Sequence, residues 1–100
     1  MPLAYDDAIS ANSESETDIC SWTADGVKEL CGFLACGDVP AEYRLYVDTD
    51  LVYVFKTTDE GDTAQVVDKP WAPEGDAVID LRVYHKAGAA ATFNGTILGG

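Results

Sequence analysis

Basic residues are scarce in this chain. Its 100 residues hold six Lys and Arg against 18 Asp and Glu, a formal charge of −12 at neutral pH. No basic stripe exists to displace counterions from phosphates, so no nucleic-acid partner is expected, and no anionic membrane surface either. Histidine occurs once, at His85. One imidazole supports neither a Ser–His–Asp arrangement nor a histidine-built metal cage, and His85 reads as a surface turn residue. G-x-S-x-G and the glycine-rich phosphate loop are also missing. No apolar run approaches the roughly 18 residues of a spanning helix, and the opening Met1-Pro2-Leu3-Ala4-Tyr5 lacks the basic start and apolar stretch of a secretory signal. The expectation is a protein made in the cytoplasm, non-enzymatic, with no catalytic residue, no cofactor and no metal.

Cysteine is sparse too: Cys20, Cys31 and Cys36. An odd number leaves at least one thiol unpaired within a monomer. The x4 spacing of Cys31 and Cys36 is neither a C-x-x-C redox motif nor a zinc knuckle. The three read first as small apolar side chains, and second as candidates for an intersubunit disulfide formed after assembly.

What the chain has is apolar content. A hydrophobic fraction of 47%, with ten aromatic residues, is enough for the core of one domain and argues against disorder. Residues 1–26 carry six acids and no base. Ser10–Thr17 is polar, and Leu3, Tyr5 and Ile9 form a small apolar cluster ahead of it. Residues 1–17 therefore read as an acidic N-terminal arm or linker, with 18–100 as the folded domain.

From Tyr43 the period becomes two. Tyr43, Leu45 and Val47 alternate with Arg44, Tyr46 and Asp48; Leu51, Tyr53 and Phe55 alternate with Val52, Val54 and Lys56. With Asp48-Thr49-Asp50 between them, these are two strands of a hairpin. Ile19–Thr23, Ala64–Val67, Ala77–Val83 and Thr92–Leu98 read as further strands. Residues 68–76, with Pro70 and Pro73, read as a loop presenting Trp71. Residues 25–37 admit two readings. Val27, Leu30, Cys31 and Leu34 suit a helical face, whereas Gly32 in mid-segment and the strands elsewhere favour a strand. The fold class that results is all-β: a small antiparallel β-sandwich of six to eight strands behind an extended acidic N-terminal segment. Its expected core is Ile19, Leu30, Phe33, Leu34, Tyr43, Leu45, Val47, Leu51, Tyr53, Ile79, Leu81, Val83, Phe93 and Ile97.

Two acidic groups, Asp48 with Asp50 and Asp59, Glu60 with Asp62, lack the spacing of a calcium loop and read as solvated turns. Trp71, helped by Trp22, Tyr46 and Tyr84, is a candidate sugar-stacking platform; the competing reading places such aromatics in a protein interface. Interface candidates are Leu3, Tyr5, Ile9, Trp22 and Trp71.

Three stretches, Ala41–Asp48, Val78–His85 and Thr92–Gly99, have a strand rhythm that resembles small β-sandwich accessory proteins of tailed-bacteriophage virions, the capsid decoration proteins and related head or tail adaptors. The likeness covers about the last 60 residues. It implies a virion location and a structural role, docked on a lattice of major capsid or tail protein, alone or as a small homo-oligomer. High negative charge would suit solubility before assembly and docking to a positive patch. The alternative is a carbohydrate-binding module of a host-recognition or secreted assembly.

Overall fold

The computed structural model describes residues 2–100. These residues form eight strands and no helix: β1 (Pro2–Ala11), β2 (Thr17–Thr23), β3 (Leu30–Gly37), β4 (Glu42–Val47), β5 (Asp50–Lys56), β6 (Ala64–Trp71), β7 (Val78–Tyr84) and β8 (Ala91–Gly99). They make two four-stranded antiparallel sheets, ordered β1-β8-β3-β6 and β2-β7-β4-β5. The pairing is nested: β4 with β5, β3 with β6, β2 with β7, β1 with β8. A chain doubled into one long hairpin and then rolled, so that successive ladders fall in opposite sheets, is an eight-stranded jelly roll. The expected all-β class and antiparallel sheets are what the chain adopts.

Alternation built the core. Tyr43, Leu45, Ile79, Leu81 and Val83 from the second sheet meet Phe33, Phe93 and Ile97 from the first, all fully buried. Each such side chain contributes about 1.5–3 kcal/mol by leaving water. Tyr43 and Phe93 meet edge to face across the sheets, with centroids 6.2 Å apart and planes at 76°, the arrangement aromatic quadrupoles favour. The Phe93 ring occupies the space where a Cβ at Gly37 would stand, so glycine is required there for the close approach.

The hairpin is tighter than the sequence suggested. Only Asp48 and Thr49 link β4 to β5, with φ of 50° and 81°, the pattern of a two-residue turn whose twist matches the strands. The Asp48 carboxylate accepts the Val78 N–H at 2.8 Å, and the Asp48 N–H donates to Val78 O at 2.9 Å. The turn is thus pinned to the start of β7.

Several expectations are corrected. Residues 2–11 are not an arm ahead of the domain: they are β1, paired along its length with β8. Ala4 faces Ile97 and Ile9 faces Phe93 in the ladder, and Ala11 is fully buried. The acids that suggested a solvated arm, Asp6 and Asp7, sit at a register shift on this edge strand, where a bulge takes residues out of the pleat. Met1 lies outside the described residues. The stretch from residue 68 is strand as far as Trp71, because β6 is an edge and Pro70 has no ladder bond to lose there. Of residues 25–37, those from Leu30 onward are strand.

His85 is also not a surface residue; it is 2% exposed. It continues the inward phase of Ile79, Leu81 and Val83. Its Nδ1 accepts the Ala87 N–H at 3.2 Å, so its Nε2–H donates to Ala11 O at 2.8 Å. Its ring tilts against Phe93 at 5.3 Å.

Leu51 and Leu34, both expected in the core, face outward. Leu45 pairs with Tyr53 but Tyr46 pairs with Leu51, which leaves Val52 as the bulged residue of β5. That extra residue reverses the phase of everything before it, and Leu51 is 49% exposed. Leu34 lies opposite Thr96 and Gln65 on the outer face of the first sheet and is half-buried. Val47 and Tyr53 are likewise only half-buried.

Candidate interaction edge

The two outer faces differ in chemistry. On the first sheet the outward cross-strand pairs are Tyr5–Thr96, Ser10–Thr92, Leu34–Thr96, Cys36–Asn94, Leu34–Gln65 and Gly32–Val67. None of these residues is charged.

The second sheet's outer face carries an ionic network instead. Its centre is Glu16, in the link between β1 and β2. Arg44 Nη1 donates to Glu16 Oε2 at 2.7 Å, Tyr46 OH donates to the same oxygen at 2.7 Å, and Arg82 Nη1 donates to Oε1 at 2.9 Å. Arg44 also pairs with Glu42, and Arg82 with Asp18 and Asp80. The two guanidinium groups stack on Tyr84 and Tyr46, 5.1 and 4.6 Å from the ring centroids. Burial works against ionised Glu16, but the hydrogen bonds from Tyr46, Arg44 and Arg82 outweigh it and hold its carboxyl down at about 2. The network fastens the link 12–16 across β4 and β7. Apart from Arg82 Nε, which lies 2.7 Å from Asp18 without a hydrogen bond among the described residues, its charged groups are paired with one another, which leaves few of them to engage anything else.

An open cleft of about 480 Å³ adjoins this face and gathers three of the six basic residues, Arg44, Lys56 and Lys86. Glu42 pairs with the first two, so the local positive surplus is small.

The apolar exposure lies on the β5 edge. Among the described residues, eight large apolar side chains are exposed, and four of them belong to this one strand: Leu51 at 49%, Val52 at 39%, Val54 at 44% and Phe55 at 37%. Another, Val67 at 60%, lies on β6, the facing edge of the first sheet. β5 pairs only with β4, so its other side presents unpaired N–H and C=O groups. A clasp closes the sandwich behind it. Trp71 Nε1–H donates to Tyr53 OH at 3.2 Å, and that hydroxyl donates to Asp68 at 3.1 Å. Burial and the Asp68 charge raise the Tyr53 pKa. Chemically, such an edge can accept an added strand: main-chain hydrogen bonds supply affinity, and alternate side chains supply selectivity.

The residues expected at an interface do not share one surface. Leu3, Ile9 and Trp22 pack partly against the core from β1 and β2, while Trp71 does so from the end of β6, on the opposite flank. Tyr5 is 65% exposed on the outer face of the first sheet. The cysteines are free and half-buried. Cys20 lies on β2, where burial pushes its thiol up to about 11. Cys36 lies on the outer face of the first sheet, its sulfur accepting from Asn94 Nδ2 at 3.1 Å. Cys31 falls at the register shift of β3. The acidic turns bring no three metal-ligating side chains together among the described residues.

The sequence reading missed Glu16, placed in a linker, and the exposed side of β5. A signal for the second was present: Leu51–Phe55 is five apolar residues in a row, more than a strand with one wet face needs. No known protein family, curated protein or solved structure matches this chain.

Proposed function

We propose that this protein is a non-enzymatic structural component of a virion, a decoration protein that docks on a larger protein lattice. The observation that carries the reading is the unpaired β5 edge with four exposed apolar side chains in a chain of charge −12. A soluble monomer rarely leaves this much apolar surface along an edge strand, and a partner strand would cover it. The resemblance of three strands to phage accessory proteins supplies the setting. Jelly rolls build viral capsid and lectin domains alike, which supports docking by analogy.

Sugar binding has less behind it. Trp71 is half-buried, packs on the core and gives its indole N–H to Tyr53, so it offers no free platform for a sugar face. The test of the docking reading is quantitative gel or mass-spectrometric analysis of gradient-purified particles from the producing host. A fixed copy number per particle is expected. Absence from intact particles, with the protein left free at the top of the gradient, refutes it.

A further inference from the structure

The β5 edge has a charge signature as well as an apolar one. Asp48 and Asp50 stand at one end of the strand; Asp59, Glu60 and Asp62 follow the other end; Asp68 lies beside it on β6. Against these six carboxylates stand two lysines, Lys56 and Lys69. The exposed apolar strand is therefore rimmed by negative charge at both ends.

We infer that β5 is the docking edge, and that its occupant is an extended segment of a partner protein, apolar at alternate positions and flanked by lysine or arginine. This inference rests on the docking reading above and names the partner's chemistry. Strand addition explains why the apolar side chains lie on both sides of β5: Leu51 and Val54 on the outer face, Phe55 on the inner side yet 37% exposed. An added strand would extend the second sheet and cover both sets. The acidic rim selects among strands, because basic flanks gain from it and acidic flanks are repelled. The same rim disfavours a second copy of this chain, since pairing two β5 edges brings two acidic rims together. The bulge at Val52 and Lys56 at the strand end are guards of the kind that edge strands carry against self-pairing. They leave Tyr53–Lys56 as the regular stretch open to a partner.

The experiment uses the full chain, isotope-labelled, and two synthetic nine-residue peptides. Both have alternating valine and threonine; one ends in lysine pairs and the other in glutamate pairs. The lysine-ended peptide should shift the amide resonances of β5 and bind at least tenfold more tightly than the glutamate-ended one. The double variant D50N/E60Q, which touches only exposed carboxylates, should reduce that ratio several-fold. The variant V52S/V54S, checked for an unchanged fold by its amide spectrum, should abolish binding. Equal affinity for the two peptides, peptide shifts away from β5, or β5 shifts that grow with protein concentration alone would each overturn the inference; the last would mark a second copy as the occupant. Particles that carry the protein while both peptides leave β5 untouched would refute this edge and spare the docking reading. Peptide binding at β5 with particles that lack the protein would do the reverse.

Discussion

Replacing Glu16 by Gln tests whether the ionic network holds the β1–β2 link in place. The carboxyl is lowered from 4.5 to about 2 in the fold, and at about 1.4 kcal/mol per unit the full shift corresponds to roughly 3 kcal/mol. Two considerations reduce that figure. The side chain remains 25% exposed, so solvent screens part of the attraction. In the variant, Arg44 keeps Glu42, and Arg82 keeps Asp18 and Asp80. The expected loss is therefore about 1–2 kcal/mol near neutral pH. The sign with pH follows from the direction of the shift. A depressed folded-state pKa gives stability that is present above the unfolded value of 4.5 and disappears as pH falls through about 2. The gap between wild type and Glu16→Gln should be constant from neutral pH down to about 5, then narrow steadily towards about pH 2. Urea unfolding followed by fluorescence of Trp22 and Trp71, at several pH values, measures it directly. A gap below about 0.5 kcal/mol at neutral pH, or one that does not narrow in acid, would show that the network is ornamental and the link is held by its backbone bonds.

Other outcomes follow from particular positions. Thr49 is β-branched yet has φ of 81°, so Thr49→Gly should raise stability by about 0.5–1 kcal/mol in thermal melts. The Tyr43 hydroxyl is fully buried and has no hydrogen-bond partner among the described residues, and burial raises its pKa far above the usual tyrosine range. Tyr43→Phe should therefore be neutral or stabilising by up to about 1 kcal/mol in urea unfolding, unlike most changes at a core position. Cys20, with its thiol pushed up to about 11, should alkylate at least tenfold more slowly than a free cysteine near pH 8, since only the thiolate reacts. Cys36, on the outer face of the first sheet opposite Asn94, is better placed for an intersubunit disulfide. Light scattering with and without reductant bears on Cys31 and Cys36: a reductant-sensitive oligomer that persists in Cys20→Ser but not in Cys36→Ser is the expected pattern if such a link forms.

The strand content was legible because period-two alternation is local. Tyr43–Val47 and Val78–Val83 alternate and are strands with the expected face inward, and Thr92–Leu98 is a strand that buries the expected Phe93 and Ile97. The same rule, extended by two residues, already placed His85 inward; its polarity argued otherwise, and only the Ala11 carbonyl and Ala87 N–H that satisfy its ring make burial possible. The β4–β5 hairpin was equally visible, though its bulge was not. A single unpaired residue at Val52 leaves no mark on composition, yet it reverses the phase and turns Leu51 from core to surface.

By itself the sequence determined an all-β domain, a mostly apolar interior and a surface of strong negative charge. These depend on alternation and counts, which are properties of neighbours in the chain. The tertiary structure decided what depends on residues far apart. It drew residues 2–11 into the sheet, because β8, some 80 residues later, supplies their ladder. It made Glu16 the centre of a network with Arg44 and Arg82, 28 and 66 residues away. It also left β5 at an edge, since the rolled order gives that strand one neighbour and no second. Which apolar run is core and which is open surface is fixed by strand order, and strand order is set by how the whole chain packs.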